Sequence, residues 1–339
     1  ACSFYEVPST YTFTDKNGNS TVSFSGQTDR LNQLEELTTY MKTGTSAIIS
    51  ANIMRDMFYN TNENGNGNFS FSSSKQLGNK CLFTDTAEFT GWITDLSAAS
   101  IDYAASASNG QAGTLTSGTS TYLFDANGIE KVQLIEKGLM GAVFMYQALN
   151  VYFSSDKMDV DNEMAVDAAD SKYYTTMEHH WDEAFGYFGA PIDFLISSET
   201  FRFWAKYCNS RDAQLASNSA MMNAFLTGRT AIVNNDTETR DDQIIIIQQM
   251  WEKISAAQAV AYLEGAKDNF GTDNAKFLHE LSEAYAFIWN LKYAPASTRQ
   301  ITTTQINTLL DTTIGSNFWT VTTVDLTNAI NDINAIYNF

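Results

Sequence analysis

Proline is scarce in this chain, with only Pro8, Pro191 and Pro295 among 339 residues. Because proline breaks the interior of a helix, long segments without it can form uninterrupted helices. Several of these segments carry apolar residues at helical spacing, for example "GIEKVQLIEKGLMGAVFMYQALNVYF" at 128–153. The sequence therefore predicts a mostly helical protein.

One segment near the N terminus has a different pattern. Residues 5–24 alternate polar and apolar side chains on both sides of "DKNGN", and Asn-Gly between two alternating runs is typical of a β-hairpin. Residues 109–120 are rich in Gly, Ser and Thr and are interpreted as a loop. We therefore expect an all-α fold with one small N-terminal β-hairpin.

The two halves of the chain contain similar segments. "QLIEKGLMGAVFMY" in the first half matches "QMWEKISAAQAVAY" in the second, and "HHWDEAFGYF" matches "HELSEAYAFI" further along. Two matches in the same order indicate an internal duplication. We predict two packed helical bundles, residues 28–193 and residues 194–339, after an N-terminal tail and hairpin at residues 1–27.

Charge restricts the partners of this chain. With 39 acidic and 20 basic residues the net charge is −19, and Lys and Arg are not clustered. Because nucleic acids and anionic membrane surfaces attract basic segments, we expect no nucleic-acid partner and no membrane contact except through a lipid anchor. The anchor is expected on Cys2, because "ACSFYEV" looks like a bacterial lipoprotein just after its signal segment. Cys81 and Cys208 either pair or are buried separately, and burial is the favoured interpretation.

All three histidines of the chain lie in the two matching segments. At about 100° per residue, His179 and Glu183 share one face of the first helix. His279 and Glu283 share the corresponding face of the second helix. His180 and Glu183 form a further pair at the i, i+3 spacing found in metal sites of helical bundles. The opposite face of the first helix is aromatic and is expected in the core: Trp181, Phe185 and Phe188.

Imidazole nitrogens and carboxylate oxygens together suit Fe or Zn. If the two histidine faces meet, the candidate ligands of a divalent metal ion, or of a small metal-containing ligand, are His179, His180, Glu183, His279 and Glu283. Two other interpretations stay open at this point. The pairs either hold helices together by hydrogen bonds or take part in catalysis.

The segments "TVSFSGQTDRL" and "MEHHWDEAFGYFGAP" resemble the imelysin-like proteins, in particular an uncharacterised lipoprotein branch of Bacteroidetes and marine bacteria. The mark of that family is G-x-H-x-x-E at a bundle interface. Here His180 and Glu183 match H-x-x-E, while Glu178 replaces the glycine. The resemblance implies two bundles from an ancient duplication and a role in iron or haem acquisition. It also implies a location at the bacterial cell envelope, either periplasmic or anchored to the outer membrane.

We expect binding rather than catalysis, with two alternatives. The first is a metallopeptidase-like hydrolase, in which Asp182 or Glu183 would be the general base. The second is a non-catalytic module that binds glycans or proteins through exposed aromatic residues.

Overall fold

The computed structural model describes residues 5–61 and 68–339 and is mostly helical, as predicted. The α-helices run over Ser25–Lys42 (α1), Ala51–Tyr59 (α2), Thr86–Ser100 (α3), Lys131–Leu139 (α4), Ser155–Met158 (α5), Thr176–Phe188 (α6), Phe203–Ser210 (α7), Asp212–Leu215 (α8), Ser217–Val233 (α9), Thr237–Asn269 (α10), Asn274–Trp289 (α11), Thr303–Asn307 (α12) and Thr323–Tyr337 (α13). Wider π-helical turns follow α4, over Met140–Met145 and Gln147–Tyr152, and follow α12, over Thr308–Ile314. Short 3-10 turns lie at Thr43–Thr45, Phe83–Asp85, Ala168–Asp170, Asn290–Tyr293 and Phe318–Thr320.

Within residues 5–61 and 68–339, no helix is both long enough and apolar enough to cross a membrane. Cys2, the predicted lipidation site, lies outside the described residues.

Among the residues that the structure describes, the sheet is one antiparallel pair of strands, Gly113–Ser117 (β1) and Ser120–Phe124 (β2). A turn at Gly118, with φ of +58°, joins the two strands. Residues 109–120 were expected to be a loop, and that prediction is wrong for Gly113–Ser117 and for Ser120, where the second strand begins. The polar composition of this segment hid β1, which pairs with the more apolar strand after the turn.

The predicted N-terminal hairpin forms only at its tip. Asp15–Asn19 makes the turn, and Thr14 and Ser20 form one isolated antiparallel bridge. Further from the turn, the Thr21 carbonyl and the Ser23 N–H are hydrogen-bonded to side chains of α9 and α6 instead. These bonds take the backbone groups that a longer ladder would use, so no regular strand forms.

The chain forms two compact units that are interleaved in the sequence. Unit 1 comprises Ala1–Thr28, Phe144–Ile254 and Tyr293–Arg299, and unit 2 comprises Asp29–Val143, Ser255–Lys292 and Gln300–Phe339. Helices α1 and α10 each contribute residues to both units. The predicted contiguous boundary at residue 193 therefore falls inside the second segment of unit 1.

Unit 1 has an aromatic core built around α6. Trp181, Phe185 and Phe188 are fully buried, which confirms the predicted core face. Phe185 packs edge-on against Phe225 at 5.4 Å between ring centroids, and Phe188 against Trp251 at 5.3 Å. Burying one such ring contributes about 1.5–3 kcal/mol, so this face fixes the rotation of α6 about its axis.

Unit 2 has its core between α11, α4 and α3. Leu278, Leu281 and Ile288 of α11 are fully buried. The Trp92 ring of α3 packs edge-on against Trp289 at 5.1 Å, and against Phe89 at 5.0 Å. This packing directs the histidine face of α11 toward the start of α4 and toward β2.

Candidate functional site

Both ends of α6 are closed by local hydrogen bonds. The Thr175 hydroxyl accepts from the Glu178 N–H, and the Glu178 carboxylate accepts from the Thr175 N–H. This reciprocal arrangement satisfies two donors that a helix start leaves without partners. Gly189 ends the helix at φ of +80°, a left-handed conformation that glycine adopts at little cost. With its ends fixed and its aromatic face buried, α6 holds its histidine face in one direction.

The first predicted pair is present in unit 1. His179 Nε2 lies 3.3 Å from Glu183 Oε1, and the two side chains are 30% and 14% exposed. Tyr174 stacks on the His179 ring, with centroids 4.3 Å apart and planes inclined by 14°. The other Glu183 oxygen accepts a hydrogen bond from Gln27 Nε2 at 2.9 Å. The pair is thus oriented from both sides while remaining partly accessible to a ligand.

His180 points in a different direction and has a fixed tautomer. Its Nδ1 lies 2.6 Å from the backbone carbonyl of Lys157. Because a carbonyl oxygen only accepts, Nδ1 carries the hydrogen and Nε2 of the neutral ring carries the lone pair. Burial lowers the pKa of His180, outweighing the opposite effect of the bond to Lys157. His180 therefore offers a neutral imidazole whose Nε2 can act as a ligand.

The acidic residues on the other side of α6 have a structural role. Asp182 is fully buried and receives hydrogen bonds from Arg229 Nε at 2.8 Å, Tyr11 Oη at 2.6 Å and the Ser23 N–H at 3.1 Å. Glu178 pairs with the same guanidinium, Oε2 to Nη1, at 2.5 Å. Both Asp182 oxygens are occupied by donors, so Asp182 is unavailable as the general base of the hydrolase alternative. Arg229 was missed from the sequence because it lies 47 residues from Asp182, on α9.

His279 in unit 2 lies between two carboxylates. Its Nδ1 is 2.5 Å from Glu130 Oε1, and its Nε2 is 2.6 Å from Glu283 Oε1. Tyr122 of β2 stacks on the imidazole, with centroids 4.1 Å apart and planes inclined by 12°. Burial alone lowers the pKa of His279, but the hydrogen bonds to the two carboxylates outweigh it and raise the pKa to about 10. The ring is therefore an imidazolium at neutral pH.

The pKa values of the two carboxylates, Glu130 and Glu283, shift in opposite directions. Burial raises the pKa of Glu130, because it outweighs the hydrogen bond from His279. The pKa of Glu283 is lowered: burial opposes its charged form, but the hydrogen bond from His279 and the nearby Lys137 outweigh burial. Glu130 was not predicted, because it is 149 residues from His279 in sequence and nothing in its local pattern connects the two.

The same local arrangement therefore occurs once in each unit. A histidine precedes a glutamate by one helical turn, and a tyrosine ring stacks on the imidazole. The two histidines differ at the Nδ1 atom. In His279 this atom contacts Glu130, whereas in His179 it is buried and has no hydrogen-bond partner among the described residues. The expected meeting of the two histidine faces stays a prediction.

The spacing of each pair can be compared with a metal's requirements. Two ligand atoms at about 2.0–2.2 Å from one metal ion lie roughly 3.0–3.5 Å apart. The 3.3 Å between His179 and Glu183 fits this range, whereas the 2.6 Å between His279 and Glu283 is a short hydrogen bond. Within the part of the chain that the structure describes, no group of three or more His, Cys, Asp or Glu side chains is arranged to hold a metal ion. The α6 pair thus presents one nitrogen and one oxygen at the spacing of two ligand atoms.

Gly186 and the cysteines Cys81 and Cys208 all lie in closely packed surroundings. Gly186 admits a close neighbour: a Cβ built there would lie 2.7 Å from the Phe24 Cβ and 2.8 Å from the Gln27 Cβ. Cys81 and Cys208 are free and buried, which confirms the favoured interpretation. Burial raises the pKa of each thiol to about 12, so neither is a reactive thiolate at neutral pH.

Comparison with known proteins gives one family and no individual relative. Residues 8–339 match a family model that is described as "Domain of unknown function (DUF4856)". Neither the curated proteins nor the solved structures contain a match to this chain. Since the family match covers nearly the whole chain, the protein belongs to the DUF4856 family.

Proposed function

We propose that this protein is an imelysin-like binding protein of the bacterial envelope that takes up a metal-containing ligand at the histidine face of α6. The observation that carries the proposal is the His179–Glu183 pair, whose 3.3 Å separation suits two ligands of one metal ion. The partial exposure of both side chains supports access from solvent. The net charge of −19 favours the approach of a cation.

Each side chain has a separate task in this proposal. His179 Nε2 donates a nitrogen lone pair and Glu183 Oε1 an oxygen lone pair to the metal. Gln27 holds the second Glu183 oxygen, as outer-shell hydrogen bonds orient ligands in metal sites. His180 matches the histidine of the imelysin-like H-x-x-E motif. Its Nδ1–H donates to the Lys157 carbonyl, so its Nε2 can act as a ligand. Other coordination positions would be filled by water or by the molecule that carries the metal.

The proposal includes an origin of the two helical bundles by internal duplication. The repeated His–Glu pair with a stacked tyrosine supports it, because the second of the two sequence matches and a shared local geometry coincide on α6 and α11. Placement at the envelope is also proposed, on the resemblance to the imelysin-like proteins, with a lipid on Cys2 as the expected anchor. Mass spectrometry of the native protein tests that modification directly.

Metal titration of the purified whole chain tests the binding proposal. We expect one equivalent of Zn²⁺ or Fe²⁺ per chain by calorimetry, confirmed by elemental analysis after dialysis. Glu183→Gln and His179→Gln each remove a ligand and should weaken binding by at least about tenfold. Comparing His179→Gln with His180→Gln shows which imidazole binds the metal.

His279→Gln is the matched control, since it removes the equivalent histidine of unit 2. It should leave the metal affinity unchanged. Absence of a stoichiometric metal with either ion, or equal binding by Glu183→Gln and the unmodified chain, would reject the proposed site.

A further inference from the structure

A cavity of about 240 Å³ lies beside His279 in unit 2. Apolar side chains form much of its wall, among them Met41, Leu96 and Leu123. Pockets for drug-sized ligands measure about 300–1,000 Å³, so this cavity suits a smaller molecule. Cavities that combine apolar walls with a few polar groups are the usual form of a small-molecule site.

The buried part of the wall offers hydrogen-bond acceptors. Glu130 and Gln133 line the cavity and are only 3% and 4% exposed. Gln133 Nε2 donates to Glu130 Oε2 at 3.2 Å, which turns the amide oxygen away from the carboxylate. That oxygen is buried and has no hydrogen-bond partner among the described residues. A buried acceptor without a donor is unfavourable, so a ligand N–H that displaces the groups covering this oxygen and bonds to it would be stabilised.

The charge of this region is negative in either protonation state of the imidazole. Glu130 and Glu283 are two carboxylates around one histidine, so with an imidazolium these three side chains carry a net charge of −1. Lys137 also lies near Glu283, but it is paired with Glu136, and this neutral pair leaves the sum unchanged. Both N–H positions of His279 are directed at these carboxylates and are not free for a ligand. The buried wall therefore favours a cationic group, such as an ammonium.

The exposed rim of the cavity carries a positive charge. Lys42, the last residue of α1, is exposed, lines the cavity and makes no ion pair within the described part of unit 2. The hydroxyl side chains of Thr45, Ser120 and Thr121 lie along the same cavity. Lys42 acts on Glu136 through its charge without an ion-pair contact, so a carboxylate is the group that this exposed lysine and the neighbouring hydroxyls bind most directly.

We propose that this cavity binds a small zwitterion, an apolar α-amino acid of about the size of leucine. Its ammonium group faces Glu130 and Gln133, its carboxylate faces Lys42, and its side chain packs against the apolar wall. Each charge of the ligand then meets a charge of opposite sign. The free ammonium end of a peptide shares half of this chemistry, and the carboxylate distinguishes the two. This site is separate from the α6 pair and does not depend on metal binding.

Calorimetry with three ligands of one shape tests both ends of the proposed pose on the whole chain. Leucine carries both charges, leucinamide lacks the carboxylate, and 4-methylpentanoate lacks the ammonium. We expect leucine to bind with a Kd below about 1 mM. Leucinamide should bind about fivefold more weakly, as expected for the loss of one rim ion pair. No heat should be seen with 4-methylpentanoate.

Two variants assign the ends to named residues. Lys42→Met should weaken leucine about fivefold and leave leucinamide unchanged, so that both ligands bind alike. Gln133→Leu should weaken leucine and leucinamide together, because it removes an acceptor for the ammonium. Lys267→Met is the matched control, since Lys267 is also an exposed lysine in the last turn of a helix of unit 2 and is not part of the cavity wall. Circular dichroism confirms that each variant is folded.

Three results would overturn the inference. One is the absence of leucine binding to the unmodified chain at millimolar concentration. Another is binding of 4-methylpentanoate as tight as that of leucine, which would exclude the ammonium contact. The third is an equal effect of Lys42→Met on leucine and leucinamide, or no effect on either, which would exclude the carboxylate contact. His179→Gln should leave leucine binding intact, so failure of the metal proposal and failure of this one are distinguishable.

Discussion

The Glu130–His279–Glu283 group shows how a charged side chain is accommodated inside a helical core. Burying a charge is costly unless it is paired and hydrogen-bonded. Here each imidazole nitrogen meets a carboxylate within 2.6 Å, and Tyr122 covers one face of the ring. The Glu130 N–H also donates to the Ser282 hydroxyl at 3.0 Å, which holds Glu130 in place. The group is consequently sensitive to any loss of the imidazolium proton.

Its contribution to stability should depend on pH. The pKa of His279 is raised to about 10 in the folded chain, against about 6.5 for an unperturbed histidine. A raised pKa stabilises the folded state fully below the unfolded value, and this stabilisation is lost as pH rises through the folded value. Between about pH 7.5 and pH 9, the free energy of unfolding should fall by about 1.4 kcal/mol per pH unit more than in His279→Gln. Urea unfolding of both proteins across this range measures the difference.

The comparison with His279→Gln removes effects that the two proteins share. The buried thiols Cys81 and Cys208 also titrate on unfolding at alkaline pH, but they do so equally in both. Parallel stability curves for the two proteins would show that His279 does not hold an extra proton in the folded state.

At the residue scale, contacts between residues close in the sequence could be predicted, and contacts between distant residues could not. The His179–Glu183 and His279–Glu283 pairs follow from helical geometry alone, because residues four apart lie on one face. Glu130 and Arg229 could not be predicted, because tertiary packing brings them to His279 and Asp182 from distant segments. Helical periodicity identifies the face of a side chain but not the residues that another element brings against it.

At the scale of elements, α6 is the best example of a sequence that specifies its own environment. Its aromatic residues are buried as the periodic pattern indicates. On another side, Gly186 lets the start of α1 approach, with Phe24 and Gln27 against it. Gln27 also donates to Glu183, so this close approach positions a proposed metal ligand.

Gly186→Ala should therefore destabilise the protein. The new Cβ would lie 2.7 Å from the Phe24 Cβ, and neither atom is the flexible end of a side chain. We expect a loss of about 1–3 kcal/mol from overpacking, which exceeds the gain of about 1 kcal/mol from the higher helix propensity of alanine. The matched control is Gly91→Ala in α3, where a Cβ meets nothing within 4 Å. Chemical denaturation should show stabilisation for the control, and the same sign in both variants would contradict the packing argument.

The positions of the β-strands could be predicted from the local sequence pattern less well than those of the helices. The Asp15–Asn19 turn forms as predicted, yet its flanking residues bind side chains of α6 and α9. Of the two strands that do form, Gly113–Ser117 was hidden by its polar composition, whereas Ser120–Phe124 is more apolar. Short strands are stabilised by what they pack against rather than by intrinsic propensity, so their positions depend on the whole fold.

At the scale of the whole molecule, the interleaving of the two units determines which parts can fold alone. The predicted second bundle, residues 194–339, contains two pieces of unit 1 and two pieces of unit 2. In unit 1, Phe225 and Trp251 would lose their contacts with Phe185 and Phe188 of α6. In unit 2, α11 would lose the helix α4 against which it packs.

A fragment of residues 194–339 should therefore fail to form a stable structure. We expect reduced helicity by circular dichroism and no cooperative thermal transition, in contrast to the cooperative unfolding that we expect of the whole chain. Mixing this fragment with residues 1–193 should restore helicity, because together they supply every segment of both units. A cooperative transition in the isolated fragment would instead show that residues 194–339 form an autonomous bundle. That outcome would favour the contiguous division suggested by the repeat, because a duplicated unit that folds alone needs no segment from the other half.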